Sequence, residues 1–350
     1  MTTTRIKILD GGLGTSLETD FAVKFSSHST PLWSSHLLVS DNETLLKCQS
    51  NFGHVPVDVL LTATYQVSIR GFADTRTSQT PSGIPPAAIP GYIATAVDIA
   101  ERAKAEHAQV ALSVGPYGAC MIPSQEYSGR YDAAHDSGEA LEAWHRERLG
   151  LFGEAVRGGA SSRIGFVALE TLPRVDEIAA VRRAIASVDG LRDVPYWVSA
   201  LFPGEAETLP DGSSVEAAVR AMLDPGVGLV RPWGVGINCT KTWKLDSLLQ
   251  KYEGTITKMV EEGTIDEWPA LVLYPDGTNG EVYNTETQKW EVPVDGLGEN
   301  QVPWETQLAD VVRQTQRRGS WPEILVGGCC MASYKSIANL RATLLPESSS

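Results

Sequence analysis

Eight short apolar runs recur along the 350 residues, each closing at or beside Gly, Thr, Asn, Cys, Pro or an acid. They are Ile6–Gly11, Val57–Tyr65, Val110–Tyr117, Phe166–Thr171, Tyr196–Phe202, Gly234–Thr240, Ala270–Asp276 and Ile324–Cys330. Between most of them lies a segment of helical period: Glu43–Phe52, Ala94–Glu106, Glu139–Val156, Val175–Ala186, Val215–Leu223, Leu245–Tyr252 and Thr306–Arg317. Strands that alternate with helices build parallel βαβ units. Eight such units in a chain of this length predict a single (β/α)8 barrel of the TIM type, and favour it over a doubly wound sheet, which needs a second domain. Residues 1–345 are expected to form that one domain, and 346–350 a disordered tail.

Bulk properties narrow the partners. The net charge of −14 repels nucleic acid and anionic lipid, so neither is an expected partner. No run approaches the ~20 apolar residues of a membrane span, and Met1–Arg5 lacks the apolar core of a signal peptide. Five cysteines, an odd number in a long chain, argue against a secreted disulfide framework and for a reducing cytoplasm. The oligomeric state is left open. Two long polar stretches, Asp74–Pro90 and Asp276–Pro303, follow predicted strands and are expected as a lid or substrate wall, or as surface insertions.

Chemistry concentrates at the strand ends. Cys239 closes the sixth run, and Gly327-Gly328-Cys329-Cys330 closes the eighth. In a closed barrel, strand ends two apart converge on one rim, so these three thiols can meet around a metal that keeps one coordination position open. Packing of buried cysteines, or a bond between Cys329 and Cys330, is the competing expectation. None of the six histidines stands at a strand end.

The first run ends Asp10-Gly11-Gly12-Leu13-Gly14-Thr15. Leu17 occupies the place of a third dinucleotide-binding glycine, so a carboxylate for an ammonium and glycine amides for a carboxylate are the better reading. Glu170 closes the fourth run and, costly to bury unpaired, is a second candidate ammonium anchor, the alternative being an internal ion pair with a barrel Arg or Lys. Thr64-Tyr65-Gln66 and Gly115-Pro116-Tyr117-Gly118 supply walls and hydrogen bonds. Two acids, backbone amides and a three-thiolate metal describe a pocket for an amino acid with a thiol side chain.

In this order the segments resemble the homocysteine S-methyltransferase family. The stretches that carry the resemblance are Asp10–Thr15, Leu32–Ser34, Thr62–Gln66, Ser113–Gly118, His145-Arg146, Glu170–Pro173, Gly236–Thr240, Tyr274-Pro275 with Gly280-Glu281, and Gly327–Cys330. The resemblance implies Zn2+ held by Cys239, Cys329 and Cys330, which would activate the substrate thiol. It implies homocysteine contacts from Asp10, Gly11 and Glu170, with Gln66 and Asn238 as further members. It implies a sulfonium methyl donor, S-methylmethionine or S-adenosylmethionine, and methionine as product. Alternatives are a selenocysteine or other thiol methyltransferase, a barrel that binds a phosphorylated metabolite with packed cysteines, and a non-catalytic thiol or metal sensor. The chain departs from the family where Met331-Ala332-Ser333-Tyr334 replaces Arg-Thr-Thr-Pro, and at Ala200-Leu201-Phe202-Pro203.

Overall fold

The computed structural model describes residues 4–26, 29–160, 163–278, 280–284, 289–292 and 302–346. Ten strands follow in chain order: β1 (Arg5–Ile8), β2 (Val59–Leu61), β3 (Gln109–Val114), β4 (Ile164–Leu172), β5 (Tyr196–Ala200), β6 (Gly234–Asn238), β7 (Ala270–Tyr274), β8 (Val282–Asn284), β9 (Lys289–Glu291) and β10 (Glu323–Val326). The helices are α1 (Leu13–Phe21), α2 (Leu37–Ser40), α3 (Asn42–Gly53), α4 (Ile69–Asp74), α5 (Ile89–Ala103), α6 (Gly138–Ala155), α7 (Val175–Ala186), α8 (Val215–Leu223), α9 (Leu245–Glu261), α10 (Trp304–Arg318) and α11 (Tyr334–Leu344).

Eight of the strands form one parallel sheet in the order β1-β10-β7-β6-β5-β4-β3-β2. Its two ends meet at one bridge, Leu9 to Val59. There the Asp58 amide donates to the Ile8 carbonyl at 2.7 Å, and the Asp10 amide to the Val59 carbonyl at 3.2 Å. The sheet is therefore an eight-stranded barrel, and every predicted run supplies one of its strands. β8 and β9 pair as a separate antiparallel ribbon inside the stretch expected as loop.

Strand side chains alternate, and the two faces bury different cores. Val110, Leu112 and Val114 of β3, with Val167 and Leu169 of β4, join the apolar layer shared with the helices. Ala111, Phe166, Ala168, Trp197, Val272 and Leu325 belong to a second cluster that fills the barrel. The same period carries one step further to the strand tips. Ser113, Glu170, Ser199 and Tyr274 lie two residues beyond Ala111, Ala168, Trp197 and Val272, so they point into the barrel mouth.

Two expectations change. Asp74–Pro90 follows helix α4 rather than a strand end, and it lines neither cavity described below. α1 begins directly after the glycine turn at Gly12, where the sequence reading placed only a turn. Residues 347–350 of the expected tail, and 279, 285–288 and 293–301 of the second long stretch, lie outside the described residues. Among the described residues no helix is long and apolar enough to cross a membrane.

Candidate active site

Cys239 follows the last residue of β6, while Cys329 and Cys330 follow β10 by three and four residues. One strand, β7, separates these tips in the sheet. The three sulfurs lie within 4.8 Å of one another and form the one such metal-ligating group among the described residues. Cys239 and Cys329 are joined as a disulfide with Cα atoms 5.7 Å apart, and Cys330 is free. A cation and that bond exclude each other, because both engage the same two sulfurs. In the reduced protein the donor set suits a soft tetrahedral ion: a Zn–S bond of ~2.3 Å places ligand sulfurs about 3.8 Å apart.

The backbone around the pair is tethered from every side. The Cys329 amide donates to the Pro275 carbonyl (2.7 Å), and the Gly277 amide to the Cys330 carbonyl (2.7 Å). The Gly328 amide donates to the Asp10 carbonyl (3.0 Å), and the Met331 amide to the Thr15 hydroxyl (2.8 Å). A Cβ on Gly12 would come within 2.5 Å of the Cys329 carbonyl oxygen, so the first strand tip approaches the thiol loop as closely as glycine permits. Where the sequence lacks a helix-start proline, the Ser333 side chain caps α11 instead.

Two carboxylates face the same space. Asp10 is buried; one of its oxygens accepts from the Leu61 amide (2.9 Å) and the other has no partner among the described residues. Burial, and then the nearby Glu170 charge, hold its carboxyl well above the usual range. Glu170 is pushed up to about 7 by burial, which the bond from the Ser113 hydroxyl and the neighbouring Tyr274 hydroxyl only partly offset. Among the described residues neither acid has a cationic partner, and no Lys, Arg or His lines the site.

Asn238 lines neither cavity. Its oxygen accepts from the Thr171 amide (2.9 Å) and the Ser199 hydroxyl (3.0 Å); its nitrogen donates to Thr171 Oγ1 (2.7 Å) and Cys239 Sγ (3.2 Å). Thr171 and Cys239 hold φ of 63° and 46°, and Trp33 and Met331, which also wall the site, hold 45° and 65°. Such left-handed residues concentrate strain of order 1 kcal/mol each where geometry must be fixed. Asn238 braces two of the four.

Two chambers open at the barrel mouth. An inner one of about 90 Å3 is lined by Asp10, Gly11, Glu170, Tyr274 and the three cysteines. Leu13 and Gly14 line it too, at the start of α1, whose N-cap Gly12 supplies no side-chain bond to the first-turn amides. A helix start with free amides can accept an anion. An outer chamber of about 380 Å3 contains Gln66, Glu18, Phe25 and Met331. Thr15, Trp33, Glu126, Tyr127 and Cys330 line both.

The expected residues thus divide. Asp10, Gly11, Glu170 and the cysteines come together in the inner chamber; Gln66 stands in the outer one, and Asn238 behind the strand tips. Tyr117 lies apart, stacked on His135. Sequence reasoning passed over Glu126, Ser113 and Arg148. Arg148 is buried and donates to the carbonyls of Val67 (2.6 Å), Gly115 (2.5 Å) and Tyr65 (2.6 Å), which ties the β2 and β3 tips together. Ser113 was legible from the strand period; Glu126 and Arg148 gave no local signal.

The family model for homocysteine S-methyltransferase matches residues 7–344. A homocysteine S-methyltransferase of Escherichia coli is 30% identical over 346 residues, 96% of this chain and 94% of its own. A betaine-homocysteine S-methyltransferase of Drosophila melanogaster is 28% identical, over 95% of this chain and 92% of its own. Among solved structures, the metallated form of the Escherichia coli homocysteine methyltransferase MmuM superimposes with a TM-score of 0.68 at 26% identity. That match covers 97% of this chain and 96% of the other.

Proposed function

The chain belongs to the homocysteine S-methyltransferase family, and from that premise we propose that it transfers a methyl group from S-methylmethionine or S-adenosylmethionine to L-homocysteine, yielding methionine. The observation that carries the reading is the inner chamber, lined by three cysteine sulfurs and by two buried acids that have no cationic partner among the described residues. Homocysteine presents a thiol, an ammonium and a carboxylate, and each has a matching partner there.

Asp10 and Glu170 would take the ammonium, with the unpartnered Asp10 oxygen as the first acceptor. The uncapped amides at the start of α1, with Gly11 beside them, would take the carboxylate. The Ser113 hydroxyl holds the Glu170 carboxylate in place through a hydrogen bond, with Tyr274 lining the same chamber. In the metal-free protein, burial and the acids Glu126 and Asp276 keep the Cys330 thiol protonated well above the usual thiol range. Zn2+ bound by Cys239, Cys329 and Cys330 would supply the charge that keeps these sulfurs, and the substrate thiol at its open position, as thiolates. Gly12 and Thr15 hold the first strand tip against the Cys329–Met331 loop and would so set the distance between the amino-acid end and the sulfurs, with the donor approaching from the outer chamber.

The test is a methyl-transfer assay with homocysteine and each sulfonium donor, run on reduced protein with and without a chelator. Methionine formation that stops on chelation and returns with zinc supports the reading. Full turnover in metal-free protein, or none with either donor, overturns it.

A further inference from the structure

The outer chamber carries carboxylates to which the homocysteine reading assigns no ligand. It is walled by Phe25, Trp33 and Tyr127 and carries two carboxylates, Glu18 and Glu126; among the described residues no Lys, Arg or His lines it. Glu126 belongs to the irregular segment between β3 and α6. It lines the outer and inner chambers at once, as does Cys330. One of its oxygens accepts from the Tyr65 hydroxyl at 2.8 Å, and among the described residues the carboxylate has no cationic partner. Tyr65 is itself set edge-on to Trp33, ring centroids 6.5 Å apart, so the acid is held by the wall that separates the chambers.

We infer that Glu126 is the residue that recognises the positive charge of the methyl donor, placing an onium centre, sulfonium or quaternary ammonium, at the boundary of the two chambers. The inference deepens the function proposed above and rests on it. Aromatic rings beside a carboxylate form a site for a methylated cation, since ring faces attract such charges as well. The chemistry gives the placement a consequence. Methyl transfer breaks the carbon–onium bond, and its electron pair returns to the donor heteroatom as the new carbon–sulfur bond forms. The donor becomes neutral. A fixed carboxylate therefore binds the donor more strongly than its product, and more strongly than the transition state, in which the positive charge is already dispersing. Removing it should weaken donor binding without slowing the chemical step.

The experiment compares wild type with Glu126→Gln and Glu126→Asp, with zinc content and thermal midpoint verified for each. Donor KM is measured for S-methylmethionine, S-adenosylmethionine and glycine betaine at saturating homocysteine, and homocysteine KM at saturating donor. Binding of S-methylmethionine to zinc-loaded protein is measured separately by calorimetry. E126Q should raise the KM of whichever donor is used at least tenfold, with kcat no lower and homocysteine KM within twofold; E126D should recover part of the loss. An unchanged donor KM, or a parallel rise in homocysteine KM, overturns the inference. Should wild type transfer methyl from none of the three, the function proposed above fails, and calorimetry still decides: binding lost in E126Q upholds Glu126, whereas equal binding, or none by wild type, refutes it.

Discussion

Replacing Glu170 with Gln should strengthen the fold and weaken the enzyme, and both magnitudes follow from one buried carboxyl. Its pKa rises from the ordinary 4.5 to about 7 because burial takes it out of water. At ~1.4 kcal/mol per pH unit, keeping it ionised in the folded, substrate-free protein costs roughly 3 kcal/mol above pH 7. Between pH 4.5 and 7 the folded chain holds a proton that the unfolded chain has lost, so this carboxyl lowers stability as pH rises through that window. Gln keeps the size and the acceptor for Ser113 but carries no charge. Glu170→Gln should therefore be about 1–3 kcal/mol more stable than wild type at pH 8, part of the gain being lost at the Tyr274 contact, and indistinguishable from it below pH 4.5. Urea unfolding across this range reads the difference. Homocysteine affinity should fall roughly tenfold to a hundredfold, since a charge-assisted bond to the ammonium is worth ~1.5–3 kcal/mol. Calorimetry with homocysteine reads that loss. A variant less stable than wild type at pH 8, or one that binds homocysteine equally well, would refute the reasoning.

Gly12→Ala should lower zinc affinity at least tenfold in a chelator competition, because the new methyl presses on the Cys329 carbonyl and the Cys330 Cα and overpacking costs ~1–3 kcal/mol; unchanged affinity would show that the thiol loop yields freely. Arg148→Met should destabilise the protein by about 3 kcal/mol in urea unfolding, since three buried carbonyls lose their donor. A loss below 1 kcal/mol would mean that water replaces the guanidinium.

The barrel was legible because its signal is local and repeated. Each strand is an apolar run that ends in a turn residue, and the period of two also says which tip residues face inward. Glu170 follows Phe166 and Ala168 in the same phase. Helices with a broad apolar stripe, such as Val175–Ala186 and Val215–Leu223, were predicted with the bounds observed. α11 was not, for only Ile337 and Leu340 are buried along its length. α9 runs nine residues past the predicted end at Tyr252, to Glu261, with Ile256 and Met259 buried on the extension. In the site, strand-tip residues could be read from sequence and loop residues could not. Asp10, Glu170 and the cysteines are delivered by the sheet; Glu126, Trp33 and Met331 are brought in by segments whose course depends on packing against Tyr65 and Thr15. Asn238 was expected as a substrate contact, yet its amide braces Thr171 and Cys239, which only the backbone angles reveal.

In the function proposed above, sulfur from Cys239, Cys329 and Cys330 holds one metal ion with a position left for substrate thiol. Zinc K-edge X-ray absorption on reduced, zinc-loaded protein tests it most directly. Three sulfur neighbours and one lighter atom are expected in the free protein, and four sulfur neighbours once homocysteine is added. A zinc shell with fewer than three sulfurs, or one that homocysteine leaves unaltered, would contradict it.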